Sequence, residues 1–517
     1  MKSIGFKNFR RFKNFPEINI GDVTILVGAN NSGKSTLIKA ILLCQNNIRQ
    51  QIKHTEITGD PLRGYTKEAP TFRFDATAWN DVKIKTFQRA FNNKTKNGND
   101  INNPQKEDTI LFSFSIGLLH FLLEIEGNKS IKDEIECSIK YIAIEDESTK
   151  RRFEEFFPSN QRRYTIIQEN GDNHIYNLNY ELHPDIELNL FPFIIKNFYN
   201  FSRGGYESNR YKEIVNRRIT KNYISEEENE ITRRILKYES EKIYKTYIGI
   251  KQIVGIAPFD YIQVHTSTHN YQYNTSDRND YVAQTINEYY SSGIKHIDSE
   301  FKFVRKWLRK FEICDSFHIN CIGGESYTVD MIKYKSHIVN LADMGVGSIQ
   351  LFTLLIKIAS IIKKYRLNIF EMKRRGLLDY GDSNIFEMEK HKIIKDSIIP
   401  TIIIEEPEQN LHPKIQSLLA DLFFEVSQKY GLKFVVETHS EYLIRKSQVI
   451  VKDFAKKKNI NNKEDLEKMN PFKVYYFDGN NEAEPYYEMK YGTNGLFNRK
   501  FGEGFIDISS KLLMDLL

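Results

Sequence analysis

The chain has 517 residues, of which 40% are hydrophobic, enough for two or three domains of ordinary size with buried cores. A net charge of +6 permits nucleic-acid binding without demanding it, and four cysteines without C-x-x-C spacing argue against a disulfide framework or a zinc site. No apolar run near the ~20 residues of a membrane span is expected, and Met1–Lys7 lacks a leader's apolar core, so the expected compartment is the cytoplasm.

Met1 to about Ile48 reads as a nucleotide-binding opening, with a strand over Lys2–Phe6, a turn over Asn8–Lys13 and a strand over Val23–Val27. In Phe6–Phe12, cations alternate with aromatic residues; packed phenylalanines at a solvated strand end are favoured over a base-stacking surface. Gly28-Ala29-Asn30-Asn31-Ser32-Gly33-Lys34-Ser35 then stands between that second strand and an apolar helix over Thr36–Leu43. This context makes the G-x-x-x-x-G-K-S spacing a phosphate loop. Gly28 and Gly33 let backbone N–H groups, including those of Asn30, Asn31 and Ser32, close on phosphate oxygens at a helix N-terminus. Lys34 supplies a positive charge for the β- and γ-phosphates of ATP, and Ser35, followed by Thr36, offers a hydroxyl to Mg²⁺.

From Gln50 to Asp100 glycines and prolines break the pattern, and Asn92–Asn103, rich in Asn, Lys and Gly, reads as an exposed or mobile loop. Short strand-like alternations follow between Thr109 and Pro192, without a catalytic signature. Lys212–Tyr247 is a charged helix with a sparse apolar row, either a solvated face or a helical arm over about 205–250 for partner contacts. His265 and His269 are four apart, but their Thr, Ser, Asn and Tyr neighbours disfavour the helix that a metal pair would need.

Three later stretches carry chemistry. In Val339–Gln350 a polar turn with Gly345, Gly347 and Ser348 opens the apolar helix Leu351–Ile362, a second anion-favouring helix start with no obvious ligand within one chain. Thr401–Ile404 is a buried strand that ends in Glu405 and Glu406 beside the phosphate loop. There Glu405 can hold the Mg²⁺ shell, and Glu406 can orient and deprotonate water for in-line attack. Lys433–Val436 is a strand that ends in Glu437-Thr438-His439-Ser440, where His439 can contact a γ-phosphate. Lys473–Phe477 and Tyr486–Met489 form a closing hairpin.

G-A-N-N-S-G-K-S, D-M-G-V-G-S-I-Q, E-E-P-E-Q-N-L-H-P and V-V-E-T-H-S-E resemble the motifs of ABC-type ATPases with a split head, as in RecF and SMC proteins. Within that group the chain looks most like the ATPase part of the OLD family and related AAA ATPases of anti-phage systems. The resemblance covers Met1–Ile48 and Asn340–Gln448. It implies an α/β head with a P-loop parallel sheet, split by a central helical or mixed insertion. Its parts would be an N-terminal lobe (1–50), lobe completion and insertion (51–335), a C-terminal lobe (336–450) and a closing segment (451–517). By motif, Lys34 and Ser35 serve phosphate and Mg²⁺, Glu405 takes the Walker B place, Glu406 that of the hydrolytic glutamate and His439 that of the switch histidine. Gly345, Gly347 and Ser348 fall in the signature turn that acts on the partner subunit's ATP. Glu405 stands where the wider group has Asp, and the turn is not L-S-G-G-Q. About 80 residues follow His439, without the D-x-D pair of a Toprim nuclease, so a stand-alone ATPase of the Septu or PARIS type is expected. Such a chain would be a dimeric, ATP-driven switch that controls a separate nuclease or toxin. The alternatives are a RecF-like DNA clamp and a nuclease centred in Lys251–Asp280.

Overall fold

The computed structural model describes residues 2–57, 71–74, 84–92, 109–116, 119–127, 134–147, 150–156, 161–166, 174–178, 259–263, 281–323, 326–334, 337–374, 399–479, 481 and 484–502. The chain divides into two units: Met1–Asn19 with Ser35–Ala257 and Asp382–Ile398, and Ile20–Lys34 with Pro258–Gly381 and Ile399–Leu517. The helical arm at 205–250, the His265/His269 pair, residues 93–103 of the predicted loop and the end of the chain from 503 lie outside the described residues. Asn92, which opens that loop, is buried rather than exposed.

In the first unit, β1 (Ser3–Phe9) and β2 (Phe12–Asn19) form an antiparallel hairpin with Phe9 opposite Phe12. The turn is therefore Arg10–Arg11, narrower than Asn8–Lys13, because positive φ at Asn8 (55°) and Arg10 (52°) reverses the chain in a short space. Phe6, Phe9, Phe12 and Phe15 are all buried, with Phe6 stacked on Phe15 at 4.6 Å and edge-on to Phe9 at 5.4 Å. These rings pack against one another, which removes them from any base-stacking surface. The hairpin joins β4 (Thr71–Arg73), β5 (Thr109–Ile116), β6 (Leu119–Glu126), β7 (Glu136–Asp146), β8 (Arg151–Phe156), β9 (Gln161–Ile166) and β10 (His174–Leu178). The result is a nine-stranded antiparallel sheet in the order β10-β9-β8-β7-β6-β5-β1-β2, with β4 on β7. Burial of Ile110, Phe112 and Phe114 follows the period of two expected of a sheet with one covered face.

In the second unit, β3 (Val23–Gly28), β11 (Phe259–Gln263), β15 (Thr401–Glu405), β16 (Lys433–Glu437), β17 (Phe472–Phe477) and β18 (Tyr486–Glu488) form a six-stranded sheet. Its order is β11-β15-β16-β3-β17-β18, parallel throughout except for the antiparallel β17–β18 hairpin at one edge. The near-continuous apolar runs Ile402–Ile404 and Phe434–Val436 are fully buried, as strands of a parallel sheet require. This is the expected α/β head with a phosphate-loop parallel sheet. One detail differs: β15 does not adjoin β3, because β16 lies between them. Three further strands, β12 (Ser316–Ile322), β13 (Ser326–Lys333) and β14 (His337–Asn340), form a separate antiparallel sheet.

Helix α1 (Lys34–Ile57) starts in the phosphate loop and outlasts the predicted Thr36–Leu43, since no Gly or Pro interrupts it before Gly59. Helices α2 (Tyr281–Ser291) and α3 (Ser299–Lys310) precede α4 (Val346–Arg374). Within α4, Val346–Phe370 is by composition long and apolar enough to cross a membrane, contrary to the expectation of no such run. However, 72% of its apolar stretch is buried inside the fold, so packing accounts for the composition. Helices α5 (Pro413–Tyr430) and α6 (Glu441–Lys457) follow β15 and β16.

Candidate functional site

Five parallel strands end at one edge of the second unit's sheet, and parallel sheets place their ligands at such strand C-termini. At the end of β3, Gly28 has φ 142°, and a Cβ there would lie 2.4 Å from the Phe477 carbonyl oxygen and 3.1 Å from Ser32 Oγ. Only glycine fits this approach. Asn31 and Gly33 also take positive φ, 60° and 111°, so the loop curls into the start of α1. Ser32 Oγ is buried with no hydrogen-bond partner among the described residues. The Lys34 ammonium is buried too, donating to the carbonyls of Gly28 (2.9 Å) and Ala29 (3.0 Å). It also lies 3.8 Å from Glu437 Oε1. Burial pushes Lys34 below its ordinary pKa, against the pull of Glu437, Glu406 and Glu408. An orphaned buried hydroxyl, a glycine cradle and a desolvated ammonium at a helix start together fit a phosphate chain. Asn30 precedes the curl, Ser35 is exposed in the first turn of α1, and Thr36 is buried behind it.

Across the same edge, the parallel register aligns Glu405 with Glu437, and Glu437 with Leu26 of β3. The interposed β16 thus puts Glu437, and not Glu405, next to the phosphate-loop strand. Glu406 reaches back through an unusual conformation, with φ 47° and its N–H bonded to the Glu437 carbonyl at 2.7 Å. A left-handed Glu is costly, and such strain persists where surrounding bonds over-determine it. Gln409 Nε2 donates to Glu406 Oε2, and His439 Nε2 lies 3.9 Å from Glu406 Oε1. Burial and nearby Lys34 hold His439 below the usual histidine pKa, with Glu406 pulling the other way, so the imidazole is neutral at pH 7.

Donor atoms of Glu406, Glu437 and His439 all lie within 4.8 Å of one another. The two carboxylates suit a hard cation such as Mg²⁺, but the imidazole does not, and Lys34 already balances Glu437. The group therefore suits water activation and phosphate sensing better than a closed metal cage. Glu405, half-buried at the end of β15, is not part of it.

The signature stretch is also placed. A single 3₁₀ turn, Leu341–Asp343, precedes Gly345, and α4 starts at Val346, earlier than the expected Leu351, so Gly347 and Ser348 lie in its first turn. A Cβ on Gly347 would lie 2.7 Å from the Asn410 carbonyl oxygen, whereas one on Gly345 would meet open space. Gln350 Nε2 donates to the Pro407 carbonyl at 3.2 Å. Gly347 thus lets α4 pack on the turn that follows Glu406 in its own chain, a role the sequence reading did not foresee.

That reading also assigned no role to Glu437 or Glu408, both buried here. A carboxylate that closes the apolar run Phe434-Val435-Val436 is the same signal that singled out Glu405, so Glu437 was legible. Glu408 was not, because only the folded turn brings it to His439.

The chain matches the family described as AAA ATPase domain over residues 1–444. No curated protein matches it. Among solved structures it is similar to the Smc head bound to the C-winged helix domain of ScpA, at 11% identity and TM-score 0.33, over 95% of this chain and 97% of that one. It is also similar to the Smc head with an extended coiled coil bound to the C-terminal domain of ScpA from Pyrococcus furiosus (11% identity, TM-score 0.31, 100% and 98% covered). A third similarity is to the SMC head domain from Thermotoga maritima (10% identity, TM-score 0.27, 86% and 91% covered). At such scores the family match, and not these likenesses, carries the assignment.

Proposed function

Because this chain belongs to the AAA ATPase domain family, which spans its residues 1–444, we propose that it binds ATP with Mg²⁺ and hydrolyses it to ADP and phosphate. The observation that carries this reading is the strained Glu406, held by Glu437 and Gln409 beside His439 and within the electrostatic reach of Lys34. Gly28, Asn30, Asn31, Ser32, Gly33, Lys34 and Thr36 form the phosphate cradle. Ser35 and Glu405 would hold Mg²⁺, which would neutralise phosphate charge when bound. Glu406 takes a proton from the attacking water, and His439 accepts contact from the γ-phosphate side. Gly345 and Ser348, at an open helix start, act on ATP held by a second copy. Hydrolysis then switches a scaffold that controls a separate nuclease or toxin in anti-phage defence.

Steady-state phosphate release tests the chemistry. Glu406→Gln is expected to lower turnover ~100-fold or more, the range of a lost general base, with nucleotide binding retained. Unchanged turnover would remove Glu406 from the mechanism.

A further inference from the structure

Two loops must hold still relative to each other if Glu406 and His439 are to face one substrate, and their connection is built from side chains. The Glu406–Leu411 turn follows β15, and the His439 loop follows β16. Glu408 is 8% exposed, and its Oε1 accepts the His439 backbone N–H at 2.6 Å. The other oxygen, Oε2, is buried without a hydrogen-bond partner among the described residues. Burial holds the carboxyl above its ordinary pKa. A second stitch runs through Gln416 of α5, which donates to the Leu411 carbonyl at 2.9 Å and accepts from Ser440 Oγ at 2.6 Å. Ser440 in turn caps α6 through the Leu443 N–H at 3.2 Å.

A buried carboxylate with one idle oxygen is an unfavourable choice for packing alone, since an apolar side chain of that size would fill the space without desolvating a charge. What Glu408 adds is reach: a rigid acceptor that fixes the backbone of His439 two residues beyond the end of β16. We infer that Glu408 is a positioning residue for ATP hydrolysis, tying the His439 loop to the Glu406 turn so that the histidine and the glutamate address one γ-phosphate. This rests on the proposed roles of Glu406 and His439. Misplacing a reacting group by about 1 Å costs up to ~100-fold in rate, so the clamp acts on kcat and leaves ATP binding to the phosphate loop.

The test compares Glu408→Gln, Glu408→Asp and Glu408→Ala with wild type and Glu406→Gln for ATP turnover, together with affinity for a fluorescent ATP analogue. Gln keeps the reach and loses the charge; Asp keeps the charge and is one methylene too short. The expected result is turnover within about threefold of wild type for Glu408→Gln and about tenfold or more below it for Glu408→Asp and Glu408→Ala, with KM and analogue affinity within about threefold throughout. If Glu408→Ala does not fold, the Gln and Asp pair decides. Asp active with Gln impaired would make charge the requirement and overturn the inference, as would both variants matching wild type or both being impaired. Failure of the underlying reading is separately visible: wild type would release no phosphate, or Glu406→Gln would match it.

Discussion

Gly28 shows how one missing methyl group shapes this site. A Cβ there meets the Phe477 carbonyl at 2.4 Å, and backbone oxygen in a parallel sheet cannot move aside. Gly28→Ala is therefore expected to cost about 1–3 kcal/mol of stability and to abolish nucleotide binding, read by thermal melting and by analogue titration. His439 makes a prediction of a different kind. Its folded pKa is lowered, so between that value and the ordinary 6.5 the unfolded chain binds a proton that the folded chain refuses. Stability attributable to His439 is thus full above pH 6.5 and declines as pH falls through that window. His439→Gln should flatten the part of a Tm-against-pH curve that lies just below pH 6.5. An unaltered curve would place the acid sensitivity elsewhere.

At the scale of elements, α4 and the turn after β15 behave as one packed body. Gly347 sits against the Asn410 carbonyl, and Gln350 holds the Pro407 carbonyl, while Gly345 faces open space. Gly347→Ala should lower Tm, with about 1–3 kcal/mol lost, because a backbone contact must open. Gly345→Ala should leave Tm unchanged or slightly raised, since alanine restricts the unfolded chain. If Gly345→Ala melts normally yet loses turnover, its contact lies with a second copy. If it retains full turnover, the proposed role in trans falls. Sequence patterning found the helix but not its start. The polar, glycine-containing stretch Val339–Gln350 reads as a turn before a helix from Leu351, whereas the helix starts at Val346 and Gly347 in its first turn packs on the Asn410 carbonyl.

For the whole molecule, the proposed ATP-dependent assembly is read by mass. Glu406→Gln with ATP should accumulate an assembly larger than the nucleotide-free protein, and Lys34→Ala should not, because the first binds ATP without consuming it and the second has lost its phosphate contact. Co-expression with the product of the neighbouring gene separates the two functional readings. A stable complex supports control of an effector; a protein that stays free of that product and binds DNA in a salt-sensitive manner supports the DNA clamp.

Local chemistry alone determined the phosphate loop, the acidic strand end of Glu405–Glu406, the closing hairpin and the α/β class. Each depends on residues adjacent in the chain: glycines where backbone must approach phosphate, and apolar strands that end in charge. Tertiary structure alone decided that β16 separates β15 from β3, which makes Glu437 the neighbour of Lys34 and leaves Glu406 to reach its place through a left-handed turn. It also decided that Glu408 accepts the His439 backbone N–H and that Gly347 packs on the turn that follows Glu406 in its own chain. Strand order and loop contacts join residues tens to hundreds of positions apart. No local pattern encodes such pairings, because they are selected by burial of whole faces rather than by the preferences of any one segment.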